Sequence, residues 1–577
     1  MTYLKLYKKI FNILNKDEKI FSFIILLLTL ISILLETFGI ATFFPLISYI
    51  VNENYFENEI YQNISNFFGF KKIDINIFFI FFIIFFILKG FYLIFYNYVV
   101  TILSNKISLR VSSTLYDIYL KKNFSYRSRT NTAMILRNLT QISSFDTSFL
   151  RCINLVNELF LITGVIILLA FVNIKLTILI LLLVVSALII YNQFTKNAVR
   201  NLGKKQFYFQ GLYTQNLLDG LNSFREILIL NKKNFFKDKF KLLKDKILNY
   251  QLSFSIFASI PRVLIEIILV ITVIVLIIIL TNNNYDIVYI IPTLGVFSAA
   301  AFRLFPSILK IYSIFQGLNL AIPVVDKIYD EINPDRNDFD FDYINNHQNN
   351  KTTNFFFNNS IDLKNIYFNY PNGKEILTNI NFKINKGETI GIKGGSGSGK
   401  STLLNIICGF LKPSKGDVLV DNQNINNNYA LWRKKIGYIS QDFFLIDASI
   451  AENIAFGHKD EEIDFYKINQ SIKMAELDDF ILDQPEGYNQ KIGEKGSKIS
   501  GGQRQRINIA RAIYHSPEIL LLDEATSSLD KKTEDKILNT LKNLKKKFTI
   551  ILISHHDNPL RIVDNIFELK FNSLKKI

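Results

Sequence analysis

Apolar residues fall into two regimes along this chain. Before residue 320 they gather into six long runs, approximately Phe21–Ile50, Ile77–Val100, Phe149–Val172, Ile174–Tyr191, Phe254–Leu280 and Ile287–Ile314. Each is long enough to cross a hydrocarbon core of about 30 Å as a helix. Beyond residue 360 the runs shorten. Ile361–Tyr370, Ile376–Ile384 and Glu388–Ile392 alternate like strands separated by turns. Helical patterns follow, and Ile519–Leu522 is a further apolar strand ending in Asp523 and Glu524. Between the two regimes, residues 333–360 are rich in Asn and Asp, carry no sustained period and read as a linker. The pattern predicts a membrane α-helical domain over 1–332 and an α/β domain over 361–577.

Basic residues set the orientation. Lys5, Lys8, Lys9, Lys16 and Lys19 precede the first run. The second connection holds Lys106, Arg110, Lys121, Lys122, Arg127, Arg129 and Arg137, and the fourth is basic from Lys196 to Lys246. The first connection instead opens with Glu53, Glu57 and Glu59, with Lys71 and Lys72 only at its far end, and the fifth, Thr281–Asp286, has no basic residue. By the positive-inside rule this predicts six spans in the cytoplasmic membrane, with both termini in the cytoplasm. The two long cytoplasmic connections exceed what a turn needs. Their helices are expected to run on beyond the bilayer and to reverse near Arg127–Ala133 and Leu218–Arg225, natural contact points for a cytoplasmic domain.

Composition changes this picture little. Hydrophobic residues make up 49% and mean hydropathy is positive despite 20% charged residues, which suits membrane spans and a soluble part on one chain. The formal charge of +16 would suggest nucleic acid if it formed one patch. Lys and Arg recur between the apolar runs instead, so no nucleic-acid partner is expected. Cys152 and Cys408 lie far apart and imply neither a disulfide framework nor a metal site. The run after the N-terminal lysines is too long for a cleavable signal.

The candidate chemistry is concentrated in the second half. Gly394-Gly395-Ser396-Gly397-Ser398-Gly399-Lys400-Ser401-Thr402 fits the phosphate-loop pattern G-x-x-x-x-G-K-[ST], between a strand-like and a helix-like segment. Glycines let backbone N–H groups curl around phosphates, and the helix N-terminus adds partial positive charge. Lys400 would reach the β/γ-phosphates and the Ser401 hydroxyl would sit on Mg²⁺. Such a string arises by chance in roughly a few per cent of chains this long. The apolar strand that ends in Asp523 downstream makes chance a poor account, because an acid there holds the Mg²⁺ shell.

Between the two lies Ile499-Ser500-Gly501-Gly502-Gln503-Arg504-Gln505-Arg506. With this segment the chain resembles the ATP-binding cassette (ABC) transporters of exporter type, over nearly its whole length. Tyr370 resembles the aromatic that stacks on adenine, Gly394–Thr402 the Walker A loop and Gln441 the Q-loop. Ser500, Gly501, Gly502 and Gln503 resemble the signature. Asp523 and Glu524 resemble Walker B and its catalytic carboxylate, Ser527–Asp530 the D-loop, and His555 the switch histidine. The resemblance implies an ATP hydrolase. Lys400 and a Mg²⁺ held by Ser401, Gln441 and Asp523 would neutralise phosphate charge. Glu524 would polarise the attacking water, His555 would contact the γ-phosphate, and Gln441 would report its presence to the membrane half. In the family the signature closes on nucleotide held by a partner subunit, so a homodimer with two sandwiched ATP sites is implied. Three departures from the family pattern stand out: Ile499 for Leu, Ser554 for Ala, and His556-Asp557-Asn558-Pro559 for Arg-Leu-Ser-Thr. The last makes His556 a minor rival to His555, and none removes a catalytic group.

Seven ionisable residues fall inside the apolar runs: Glu36, Lys89, Glu158, Arg262, Glu266, Arg303 and Lys310. Each costs roughly 2.5–3.5 kcal/mol at a helix centre on insertion scales. Arg262 and Glu266, four apart, share a helix face. Lys89 has Phe85, Phe86, Tyr92 and Leu93 as its neighbours, and Arg303 and Lys310 have no acid nearby in their own span. Snorkelling, pairing elsewhere, and a cationic lining for an anionic cargo all remain open. Glu36-Thr37-Phe38, Pro261-Arg262, and Arg303-Leu304-Phe305-Pro306 with Lys310 resemble the lipid-linked oligosaccharide flippases of bacterial protein N-glycosylation. The loop Tyr55–Phe70 is partly amphipathic, which suits either the short external helix that such flippases place on the membrane surface or an ordinary loop packing on its own spans. That resemblance implies a polyprenyl pyrophosphate cargo received by Lys89, Arg262, Arg303 and Lys310, with membrane lipids around it. Export of a peptide, drug or other lipid is the alternative.

Overall fold

The computed structural model describes residues 2–42, 75–282, 287–333, 356–370, 373, 375–526, 529–545 and 547–577. It forms two compact units, Met1–Leu120 with Thr130–Pro334, and Lys121–Arg129 with Asp335–Ile577.

In the first unit, long helices lie along all six apolar runs: Lys16–Ala41, Ile75–Lys121, Ile142–Val172, Ile174–Asn222, Lys233–Asn282 and Ile287–Ile332. Five helical stretches among the described residues are long and apolar enough to cross a membrane: Lys16–Ala41, Phe79–Lys121, Thr132–Val172, Lys233–Ile268 and Leu294–Ile332. The fourth run, on Ile174–Asn222, is not among those five. At 1.5 Å per residue a helix such as Ile75–Lys121 is about 70 Å long. That is more than twice a hydrocarbon core, so it must continue well past the lipid.

Local chemistry explains where these helices begin and how they meet. The Asn15 N–H donates to Glu18 Oε2 at 2.9 Å as the first long helix opens, and the Arg110 guanidinium grips the same carboxylate at 2.6 and 2.7 Å. Asn173, with extended backbone, is all that separates the third helix from the fourth. Ile33 and Ile40 pack with Leu161, Val165 and Leu169 and with Val296, Phe297 and Ala300, joining the first, third and sixth helices. A Cβ at Gly164 would fall 2.6 Å from Thr37 Cγ2, so only glycine permits that close approach. The opposite faces expose Leu30, Leu34, Ile84, Leu88, Phe91 and Ile167, a surface suited to lipid.

The second unit is built on ten strands: β1 Ser360–Asn369, β2 Glu375–Asn385, β3 Thr389–Lys393, β4 Lys415–Val420, β5 Gln423–Asn424, β6 Ile436–Ser440, β7 Ile519–Asp523, β8 Thr549–Ser554, β9 Asn565–Lys570 and β10 Ser573–Lys576. One sheet runs β2-β1-β4-β5 and is antiparallel; the other runs β10-β9-β3-β8-β7-β6 and is parallel from β9 to β6. A parallel sheet buries both faces, and β7 shows how. Ile519 and Leu521 pack into one core with Leu403, Leu404, Ile406 and Ile407 of helix Lys400–Ile407. Leu520 and Leu522 pack into the other with Ile507, Ile509 and Ala510 of helix Gly501–Tyr514. The two helices therefore lie on opposite faces of β7. The reversal segment Lys121–Arg129 clusters with this unit, where the Phe124 ring stacks on Phe410 with centroids 5.6 Å apart.

Candidate functional site

Parallel pairing brings distant segments to one edge. Lys393 pairs with Ser554, Asp523 with Ile553, and Ser440 with Asp523, so β3, β8, β7 and β6 end side by side. The loop 394–402, His555, Glu524 and Gln441 each follow directly from one of those strand ends. Carboxyl ends of parallel strands are where ligands of open α/β sheets bind.

The loop is held open by its glycines. Gly397 (φ 75°) and Gly399 (φ 99°) occupy the left-handed region, and a Cβ at Gly395 or Gly397 would meet nothing within 4 Å. The Ser398 hydroxyl is buried without a hydrogen-bond partner. Lys400, only 4% exposed, donates to the carbonyl oxygens of Gly394 at 3.0 Å and Gly395 at 2.9 Å. Burial lowers its pKa, opposed by the charges of Glu524 and Asp523. An orphaned hydroxyl, a buried ammonium held by the loop's own carbonyls, and a helix N-terminus fit a polyphosphate.

Asp523 accepts hydrogen bonds from Ser401 Oγ at 3.3 Å and from Tyr438 OH at 3.2 Å. Burial pushes its pKa up, with Glu524 adding to this and the two hydrogen bonds and Lys400 opposing it. Ser401 and Asp523 supply hard oxygen donors of the kind Mg²⁺ takes when phosphates complete its shell. Gln441 is exposed just beyond β6. Tyr438 was not singled out by sequence reasoning; its place two residues before the end of β6, beside the acid-ending β7, is the only signal for it.

Glu524 sits at φ 50°, a costly conformation for a side-chain-bearing residue, and its N–H donates to Ile553 O at 3.1 Å. This aims the carboxylate at His555, whose Nε2 is 2.7 Å from Glu524 Oε1 and 3.0 Å from Lys400 Nζ. One ring nitrogen cannot donate to the carboxylate and accept from the ammonium at once, so the His555 proton decides which neighbour it serves. The neighbouring His556 bonds the Ser554 hydroxyl through its backbone, and Asp557 pairs with Lys393, so it is His555 that meets Glu524 and Lys400. Tyr370 follows β1, with its hydroxyl 3.5 Å from Thr402 Oγ1 and its ring partly exposed against the edge of Phe368.

Ser500 caps helix Gly501–Tyr514 reciprocally. It accepts the Gln503 N–H at 3.3 Å while its own N–H donates to Gln503 Oε1 at 2.8 Å. Gly502 lies against the Thr533 methyl, and Asp530 caps helix Lys531–Leu544 by accepting the Thr533 N–H at 3.0 Å. Hydrogen bonding by Thr533 lowers the Asp530 pKa. Among the described residues no hydrogen bond or ion pair joins 500–503 to 394–402. Ser527 and Ser528 lie outside the described residues.

In the first unit, Lys89 and Arg303 both reach Glu36, at 2.7 and 2.8 Å, and Lys310 reaches Glu158 at 2.7 Å. The acids missing from their own spans are thus supplied by the first and third helices. Arg262 pairs with Glu266 at 3.1 Å on an exposed face, outside this cluster. The loop Tyr55–Phe70 lies outside the described residues.

Known proteins share both halves. Residues 22–298 match the model of the ABC transporter transmembrane region, and residues 377–527 that of the ABC transporter. The multidrug resistance protein 1 of Entamoeba histolytica is 42% identical over 211 residues, 36% of this chain and 16% of that protein. A putative export ATP-binding/permease protein of Rickettsia bellii is 42% identical over 212 residues, 36% of each chain. A leukotoxin translocation ATP-binding protein of a Pasteurella haemolytica-like species is 42% identical over 212 residues, 36% of this chain and 30% of that protein. The matches thus span about a third or less of those relatives' length. The structure of a bacterial Atm1-family ABC exporter with ATP bound has the same fold. It superposes with a TM-score of 0.77 over 95% of this chain and 94% of that one, at 21% identity.

Proposed function

We propose that this member of the ABC transporter family, which joins a transmembrane region to an ATP-binding domain, is an ATP-driven exporter of the cytoplasmic membrane. The observation that carries this reading is the convergence of Lys400, Asp523, Glu524 and His555 at the carboxyl ends of β3, β7 and β8. Lys400 exchanges its loop carbonyls for phosphate oxygens, which removes the burden of its burial. Ser401, Asp523 and Gln441 would hold Mg²⁺, which would supply further charge neutralisation. Glu524, fixed by its strained backbone, polarises the attacking water, and His555 turns from Lys400 toward the terminal phosphate.

Six spans per protomer and a homodimer complete the reading. The helix capped by Ser500 lies across β7 from the phosphate-loop helix, so its N-terminus is poorly placed for its own Lys400. A second copy supplies it economically, with each loop closed by the partner's signature.

The cargo we infer is an amphipathic anion, of which a lipid-linked oligosaccharide is one example. Support comes from three cations, Lys89, Arg303 and Lys310, gathered on two acids within the span-forming helices. Peptide, drug or other lipid export is the second reading, favoured by the names of the multidrug and leukotoxin relatives. ATPase activity in nanodiscs separates the two. Stimulation by a polyprenyl pyrophosphate and not by uncharged amphiphiles supports the first, and the reverse supports the second.

A further inference from the structure

Pro261 sits inside the fifth long helix, Lys233–Asn282. A proline there has no N–H for the carbonyl four residues back, and its ring pushes that carbonyl aside. The carbonyl is that of Phe257, and two other helices take it up. Tyr191 OH, from Ile174–Asn222, donates to Phe257 O at 2.8 Å, and Gln316 Nε2, from Ile287–Ile332, donates at 2.9 Å. Gln316 is 3% exposed; Nε2 also donates to Tyr312 OH, while Oε1 is buried without a partner. The amide is held where both its protons are used and its acceptor is not.

The chain around Phe257 is soft. Ser253, Ser255 and Ser259 each donate a hydroxyl hydrogen bond to a carbonyl of their own helix, at 2.9, 3.0 and 2.9 Å. Such back-bonding loosens and bends helices, as proline does. Before this joint the helix is anchored. Tyr250 lies against Phe209 and Phe240 against Tyr213 of the fourth helix, with ring centroids 5.7 and 5.3 Å apart. After it, Val263, Ile267, Val270, Ile271 and Ile274 form an exposed apolar face. An anchored arm, a softened joint and a second arm held on fewer sides are the parts of a hinge.

We propose that residues 253–261 are a hinge in the fifth helix and that Tyr191 and Gln316 are its clasp. A carbonyl oxygen has two lone pairs, and one hydrogen bond is enough to satisfy it. Either donor can therefore let go as the second arm tilts, and the oxygen is never left orphaned. ATP turnover drives the tilt, so the hinge rests on the exporter reading. The clasp belongs to the nucleotide-free chain and does not.

Hydrogen exchange of the full chain in nanodiscs tests both parts. Without nucleotide, Tyr191→Phe combined with Gln316→Leu should speed exchange across 253–265 by about fivefold, and either change alone by less. Pro261→Ala returns an N–H to Phe257 O and should cancel that effect. The same effect with and without Pro261 would mean ordinary packing and overturn the clasp. In the wild type, trapping with ATP and vanadate should change exchange across 253–265 by about fivefold relative to 235–250. Pro261→Ala should lose that change and still hydrolyse ATP. Hydrolysis without the change in wild type, or the same change in Pro261→Ala, overturns the hinge and leaves the exporter reading standing. Absence of hydrolysis in wild type overturns the exporter reading and the hinge, and the nucleotide-free comparison then decides the clasp alone.

Discussion

Nε2 of His555 lies 2.7 Å from Oε1 of Glu524, so the carboxylate proposed to polarise water and the histidine proposed to sense the terminal phosphate are hydrogen-bonding neighbours. Glu524→Gln keeps the shape of the side chain and removes its basicity. ATP turnover is expected to fall by about 10²–10⁴-fold with ATP binding retained, as measured by steady-state hydrolysis beside binding of a fluorescent nucleotide. Turnover within a few-fold of wild type would remove Glu524 from the chemistry.

Lys400 is a buried ammonium whose pKa is lowered chiefly by desolvation. A lowered lysine pKa means that its charge weighs on the fold below that pKa and is relieved by phosphate. ATP should therefore raise the unfolding temperature of the wild type, and Lys400→Ala should lose that shift while its nucleotide-free form unfolds no earlier. An ATP-induced shift that survives in Lys400→Ala would contradict the assignment.

Glu36 receives both Lys89 and Arg303 and is 5% exposed, whereas Glu266 meets Arg262 on an exposed face. Removing one partner of a buried pair costs about 3 kcal/mol or more, but an exposed pair is worth less than about 1 kcal/mol. Thermal unfolding in detergent should thus show Glu36→Gln several degrees below Glu266→Gln. Equal loss would mean that the buried pairs do not hold these helices together.

Acid should expose a different bond. Burial raises the Glu518 pKa, but hydrogen bonds from Lys435 and Lys386, at 2.6 and 3.2 Å, more than offset it and leave the carboxyl below its ordinary value of 4.5. A depressed folded pKa gives stabilisation that is complete above the unfolded value and lost as pH falls through the folded one. Glu518→Gln should therefore be less stable than wild type by roughly 1 kcal/mol at pH 7, with the gap closing below about pH 4. A gap independent of pH would point to packing instead.

The proposed two-chain site has its own test. Lys400→Ala and Ser500→Arg are placed either on separate protomers or together on one protomer beside a wild-type partner. If each phosphate loop closes on the partner's signature, the separated pair keeps one intact site and roughly half the ATP turnover, and the combined pair keeps none. If each loop uses its own signature, the two outcomes exchange.

What could be read from the sequence follows the range of the interactions. The phosphate loop lies between β3 and helix Lys400–Ile407 because turn, glycines and helix start are encoded within nine residues. Ser500 and Gln503 form their capping box for the same reason. The partners of Lys89, Arg303 and Lys310 were out of reach. Arg303 and Glu36 are 267 positions apart, and no spacing rule within one helix can pair them. Tyr438 at Asp523 is likewise a product of strand order, set by how β6 and β7 pack rather than by the residues near either.

ATP-dependent movement of a lipid-linked saccharide across proteoliposomes, wild type against Lys400→Ala, tests the central claim most directly. The account predicts movement that requires hydrolysable ATP, occurs with the wild type, and is absent from the variant. Equal movement in both, or none of any amphipathic anion with an ATPase-active wild type, would contradict it.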